Sequence, residues 1–280
     1  MKKEVRGRLL IVALIIILTT MGKDIRANGG LLEEYNQSEI SLHFNKASFS
    51  EENDLSFASS VITLRGQAKL PSGFFIIGEL PLSNYDDNIG GEGTGFLIGN
   101  PYLGFRYERQ GSSPVFTLGF RPALISEESE DYGAILIGAY TDFEKFEAFF
   151  PEVTTIYLSG GYKYSSPAGI TLRASIGSTL LNQGDPYDDE LLADGRLEFF
   201  YEQNRLLVGF GIGTRVWLTE QGLDFGERNL QSFKFSLGYS FNRIIPSLHF
   251  AAPLDDDDLI GVKENINYVW GIDLKVALGQ

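Results

Sequence analysis

The chain of 280 residues has no cysteine, which excludes disulfides and thiolate metal sites and leaves no residue for a lipoprotein anchor. It has no basic surplus: the net charge is −14, and nucleic acid is not the expected partner of so acidic a chain. Histidine is scarce, with only His43 and His249. Beyond the N-terminus no run is long and apolar enough for a membrane helix, and the mean hydropathy of −0.04 is too polar for a helical membrane protein. There is no nucleophile elbow, zinc signature or phosphate loop, so no cofactor is implied.

What is present begins with an export signal. Lys2, Lys3, Arg6 and Arg8 precede the apolar run Leu9 to Leu18, and Thr19, Thr20 and Gly22 follow. This basic, apolar, small-residue order is that of a secretory signal peptide within residues 1–27, cleaved after Gly22 or Ala27. Residues 28–280 then form the mature domain.

The mature chain is organised around Ile98 to Ile125. Leu103, Phe105 and Tyr107 alternate with Tyr102, Gly104, Arg106 and Glu108; after a polar turn, Phe116, Leu118 and Phe120 alternate with Thr117, Gly119 and Arg121. A soluble antiparallel sheet turns such an apolar face to a core. A transmembrane barrel turns it to lipid and the polar face to its lumen.

The same alternation predicts twelve strands: Glu39–Ala47, Phe57–Leu70, Gly73–Ser83, Ile98–Arg109, Pro114–Ile125, Val153–Tyr164, Gly169–Leu180, Gly195–Gln203, Leu206–Leu218, Leu230–Phe241, Arg243–Ala252 and Asn265–Leu278. Short connections rich in Pro, Gly, Ser and Asn alternate with long ones: Ser48–Ser56, Asn84–Leu97, Ser126–Glu152, Leu181–Asp194, Thr219–Asn229 and Pro253–Glu264. Short turns on one side and long loops on the other predict an all-β, up-and-down outer-membrane barrel of a Gram-negative cell. The long loops hold about 27 acidic residues against about 3 basic ones. Asp185, Asp188, Asp189, Glu190 and the run Asp255–Asp258 are solvated loop acids or oxygen ligands for a divalent cation near lipopolysaccharide.

Reading each strand at period two assigns a lumen face: Arg65, Gln67, Lys69, Glu79, Arg106, Glu108, Arg121, Lys163, Arg173, Arg196, Glu198, Glu202, Arg215, Lys234, Asp273 and Lys275. Basic residues outnumber acidic ones there, which favours anions. Ile62, Leu64, Leu103, Phe105, Leu118, Leu172, Leu197, Phe199, Phe210, Phe235, Leu237, Ile272 and Leu274 face the other way. Tyr107, Tyr162, Tyr164, Tyr201, Trp217, Tyr239, Phe241, Tyr268 and Trp270 lie near strand ends, as interfacial rings would. The last strand resembles the segment read by the barrel assembly machinery, without its terminal aromatic residue.

In Asp131–Phe150, Leu136, Ala139 or Tyr140, Phe143, Phe146 and Phe150 recur every three or four residues. That spacing predicts a short helix ended by Pro151, with Phe143, Phe146 and Phe150 as candidates for a constriction in the barrel mouth. Ile135, Ile137 and Ala139 also alternate, so Ala134–Asp142 equally reads as an extension of a strand.

The run Gly99-Asn100-Pro101-Tyr102-Leu103-Gly104-Phe105-Arg106-Tyr107 resembles a strand motif of the outer-membrane family named for the meta-pathway of phenol degradation. The resemblance implies an outer-membrane barrel that passes small, hydrophobic or aromatic solutes, and it carries over no site residue. A passive channel or transporter is the reading that best joins these observations. A structural or adhesive barrel with a closed polar lumen is the alternative, and a lipid-modifying barrel enzyme is a third. Ser41 and Ser247 each stand two residues from a histidine, but strand geometry spaces such pairs about 7 Å apart, too far for proton transfer. The enzymatic reading therefore falls behind. The expected partners are outer-membrane lipid and lipopolysaccharide, the assembly machinery and a small-molecule solute.

Overall fold

The computed structural model describes residues 37–49, 59–86, 93–126, 131–184, 188–219, 227–254 and 261–278. The signal-peptide region, Asp185 and the run Asp255–Asp258 lie outside the described residues. The strands are β1 (Glu39–Phe49), β2 (Ser60–Lys69), β3 (Phe74–Asp86), β4 (Thr94–Ile98), β5 (Tyr102–Glu108), β6 (Ser113–Arg121), β7 (Thr154–Ser165), β8 (Ile170–Asn182), β9 (Glu190–Gln203), β10 (Leu206–Trp217), β11 (Asn229–Tyr239), β12 (Ile244–Pro253) and β13 (Ile266–Ala277). Between β6 and β7 lie a helix, α1 (Tyr132–Thr141), and a 3-10 segment (Phe143–Ala148); the four-residue helix α2 (Val262–Asn265) precedes β13.

Apart from β4 and β5, consecutive strands pair antiparallel, and β1 pairs with β13 from Glu39↔Ala277 to Phe49↔Ile266, closing the barrel. Strands β4 and β5 both pair with β3, one after the other, so they are two halves of one stave and the barrel has 12 staves. Closure pairs the staves all round, and among the described residues only the short β4 pairs on one side alone; an open edge within a bilayer would cost several kcal/mol per backbone group.

Most boundaries shift by one to four residues, among them the start of β2 at Ser60 rather than Phe57 and the end of β6 at Arg121 rather than Ile125, and two shifts have a clear cause. The stave expected from Ile98 begins at Thr94 and is interrupted at Gly99-Asn100-Pro101, where proline supplies no N–H for the ladder. Strand β9 begins at Glu190 rather than Gly195, because Leu192 and Asp194 continue the inward alternation of Arg196 and Glu198. Tight turns join the strands at the end where Glu39 and Ala277 meet. Asn204 and Arg205 both take positive φ in the two-residue connection of β9 to β10, the backbone a twisted hairpin requires.

The outer surface is apolar around the barrel. Phe105, Phe116, Leu118, Leu197, Ile212 and Leu248 are exposed, and Ile176 reaches 77%. Every second residue on these strands turns inward, and many of these are buried, charged groups among them. A soluble protein exposes apolar residues in scattered patches; a continuous apolar wall around a polar interior is the inverted arrangement of a membrane barrel. Tyr107, Tyr162, Tyr164, Tyr239 and Phe241 point outward near the tight turns, where Phe74–Tyr107 and Tyr239–Phe241 pair at 5.1 and 4.7 Å between centroids. Trp217 is an exception to the expected aromatic belt. It faces the lumen and is fully buried, because it completes the packing of the plug.

Candidate functional site

The long connection between β6 and β7 folds into the barrel. The helix α1 is apolar on nearly every side, and such a helix is stable only when surrounded. Ala134, Ile135, Ile137 and Ala139 are buried, and α1 packs against β1 to β4. The helix expected over Asp131–Phe150 stops at Thr141. Phe143 and Phe146 follow in a 3-10 segment that is kinked between them at Lys145. Both are buried, and Phe150 is half-buried beside them.

The plug meets an apolar layer from the wall. Ala47, Val61, Leu97, Leu181, Leu192, Trp217, Leu230 and Ala251 turn inward at the long-loop ends of their staves and form one core with Phe143, Phe146 and Phe149. Phe146 stacks on Trp217 with centroids 5.7 Å apart. The lumen is thus not polar throughout, as period-two reading implied. Its outer layer is apolar, and so are Phe75, Phe200, Leu207 and Ile245, fully buried on the inward face toward the tight turns.

Asn100 secures the plug where β4 gives way to β5. Its Nδ2 donates to the carbonyls of Glu147 and Phe150 at 3.3 and 2.8 Å, and its backbone N–H to that of Ala148 at 2.6 Å. Its Oδ1 accepts from the N–H groups of Leu124 and Ile125 at 2.7 and 3.1 Å. The chain passes so close that a Cβ on Gly99 would lie 2.6 Å from the Ala148 carbonyl oxygen.

Charge completes the attachment. Lys145 Nζ donates to both oxygens of Glu79 at 2.9 and 3.1 Å. Glu147 accepts from Arg215 at 2.9 Å, and Arg215 also donates to Asp194 at 2.7 Å. Glu144 pairs with Lys234, lies 3.8 Å from Arg196 and accepts from Ser232 at 2.6 Å. Burial pushes the Glu144 carboxyl up, but Lys234 and Arg196 outweigh it and hold it down to about 2. Burial raises Asp142, against the pull of Lys145 and Lys234. Glu144, Glu147 and Asp142 were counted by sequence with the solvated loop acids; they are instead turned into the barrel.

Beneath the plug lies a cavity of about 380 Å³. Of the residues assigned to the lumen, Arg65, Glu79, Arg106, Arg121, Arg173, Arg196, Glu198, Arg215, Lys234, Asp273 and Lys275 line it, and Phe143 covers it. Glu108 is buried nearer the tight turns and gathers Lys163 at 2.5 Å, Arg173 at 3.1 Å and Arg106 at 3.5 Å. Lys69 ends β2 and is half-buried, away from the cavity. Phe146 and Phe150 belong to the plug core rather than the cavity lining. Tyr102, Tyr157, Asp142, Glu144, Lys145 and Glu147 also line the cavity and had no place among the sequence candidates. The alternation of Asp194 with Arg196 and Glu198 is the one signal that could have identified Asp194.

The histidines correct one expectation. Ser41 Oγ lies 2.8 Å from His43 Nε2, not the 7 Å of the strand repeat. That repeat spaces backbone positions, and an imidazole laid along the strand spans it. His43 Nδ1 is 2.6 Å from Asp273 Oδ1, and His249 Nδ1 is 3.1 Å from Asp273 Oδ2. A Cβ on Gly271 would lie 2.4 Å from the His249 ring, so glycine there lets the ring cross β13 to Asn45, 2.8 Å from Nε2.

No protein-family model and no curated protein sequence matches this chain. Solved structures do. An outer-membrane channel from Pseudomonas putida F1 superposes with a TM-score of 0.57 at 9% identity, covering 93% of this chain and 100% of that one. The NanC porin gives 0.54 at 6% identity, covering 87% and 100%. The KdgM porin gives 0.50 at 6% identity, covering 86% and 99%. Identities this low establish the fold, and with the apolar outer wall they identify the chain as an outer-membrane β-barrel.

Proposed function

We propose that the barrel is a passive outer-membrane channel for small molecules, with the segment Tyr132–Ala148 as its gate. The observation that carries this reading is the cavity of about 380 Å³ directly beneath a plug made from a connecting segment of the same chain. The plug is held to the wall by side-chain ion pairs and hydrogen bonds, contacts that release without breaking the barrel ladder. The channel and porins with the same fold are consistent with it. The resemblance of Gly99–Tyr107 to the phenol meta-pathway family favours small hydrophobic or aromatic solutes; the cations around the cavity favour those that also carry an acid group. Membrane lipid, lipopolysaccharide and the assembly machinery complete the expected partners.

The apolar layers at both ends of the lumen favour a second reading, a closed structural barrel. Planar-bilayer recording separates the two. Deletion of residues 141–149 should raise conductance while the barrel still assembles. Unchanged conductance in an assembled deletion variant would favour the closed barrel.

A further inference from the structure

Ser41, His43 and Asp273 are joined in series on the inner face of the wall. The serine hydroxyl meets one imidazole nitrogen at 2.8 Å, and the carboxylate meets the other at 2.6 Å. That is the connectivity by which a hydroxyl is activated for attack: the imidazole takes its proton, and the carboxylate orients the ring and stabilises its charge. The carboxylate is itself fixed, since Asp273 Oδ2 accepts from Ser247 Oγ at 3.3 Å and meets His249 at 3.1 Å. All of these groups stand on adjacent strands of a closed barrel, a rigid support for such a constellation.

The neighbours of Ser41 supply the remaining part. Arg65 on β2 and Lys275 on β13 are its directly opposed partners across the two flanking strands. Side chains so placed share one face, with Cβ atoms about 4.5–5.5 Å apart. A negative charge developing on a carbonyl oxygen at Ser41 would lie between two cations, which is how an oxyanion is stabilised. His43, Asp273, Arg65 and Lys275 all line the cavity under the plug. Ser41 itself is 1% exposed, behind these side chains. Reaching its hydroxyl therefore requires Arg65, which pairs with Glu79 at 3.5 Å, and Lys275 to turn aside onto an anionic ligand.

We propose that Ser41 is a nucleophile and that the chain hydrolyses small carboxylic esters that carry a free acid group. Ser41 Oγ attacks the ester carbonyl carbon as its proton passes to His43 Nε2. The bond to the alcohol oxygen breaks, and the alcohol leaves with that proton. Water then gives a proton to His43 Nε2 and attacks the acyl carbon. The Ser41 oxygen departs and recovers the proton, releasing the acid.

The activity rests on the gated reading only for entry of the ester past the plug and needs no passage through the far end, so hydrolysis and conductance are read separately. Purified full-length protein in detergent is offered p-nitrophenyl hemisuccinate and p-nitrophenyl butyrate, and is treated with a fluorophosphonate probe. Expected are hydrolysis above the detergent blank, faster for the hemisuccinate, and a mass adduct on Ser41. Ser41→Ala and Asp273→Asn should each lower the rate by at least about a hundredfold. Both variants should keep the heat-dependent gel shift of a folded barrel. Absence of an adduct on Ser41 in folded protein, or equal rates in folded Ser41→Ala and the parent, would overturn the proposal. Equal rates for the two esters would overturn the acidic-ester specificity.

Discussion

Phe146 lies flat on Trp217, with ring planes 14° apart and centroids separated by 5.7 Å. One ring belongs to the plug and the other to the end of β10, so the stack joins the connecting segment to the wall. Arg215, two residues before Trp217, places its guanidinium 5.4 Å from the same Phe146 ring and pairs with Glu147. Packing and charge therefore act on the same turn of the plug.

Trp217→Ala removes the largest buried side chain of this core and leaves Glu190 without the indole N–H donor at 3.1 Å. Truncations of this kind cost about 3–5 kcal/mol. The expected outcome is a lower urea midpoint and loss of hydrogen-exchange protection in residues 143–150. An unchanged midpoint and unchanged protection would show that the stack contributes nothing to docking.

Asn100→Ala tests the anchor. It strips the acceptor from the N–H groups of Leu124 and Ile125 and the donor from two plug carbonyls, and each of these that is buried costs about 1–3 kcal/mol when left alone. Limited proteolysis should cut within residues 143–150 of the variant and spare the strands. Resistance equal to that of the parent would contradict the anchoring role.

The lipid and lumen faces can be told apart one residue apart. Leu118 is exposed on the outer wall, and Thr117 lines the cavity. Leu118→Arg should cost about 2–4 kcal/mol if it lies near the bilayer midplane, and Thr117→Arg much less. Folding into lipid vesicles, followed by gel shift, measures both. Equal defects would refute the facing.

Docking should depend on pH through Glu144. Its carboxyl sits at about 2 in the docked plug, against about 4.3 when free. A depressed value stabilises docking fully above the free value, and the gain is lost as pH falls toward 2. Asp142 has the opposite sign: raised by burial, it favours docking below its free value and loses that gain as pH rises through the raised one. Protection factors for residues 141–149 should therefore hold or rise from pH 7 to 5 and fall only toward pH 2. A loss between pH 7 and 5 that Glu144→Gln abolishes would reverse the assignment.

Amino-acid order alone determined the staves, their facing and the alternation of turns and loops, because each follows from a local rule. Leu103, Phe105 and Tyr107 alternate with Gly104, Arg106 and Glu108 whatever stands beside them, and a strand turns successive side chains to opposite faces. The apolar spacing of Leu136 to Phe150 likewise signalled a helical segment, though not its change to a 3-10 turn at Phe143. What the lumen residues meet was decided by the tertiary structure. Glu144 and Glu147 read as loop acids until the segment folds inward, where Lys234, Arg196 and Arg215 become their partners. Asn100 reads as one residue of the strand Ile98–Arg109 until five backbone groups of the plug and its flanking chain converge on it. Ser41, His43 and Asp273 come together only through the register of β1 on β13 and the direction in which one imidazole lies. Periodicity states which face a side chain takes; what it touches there depends on strand register, rotamer and the docking of distant segments, none of which a local sequence rule contains.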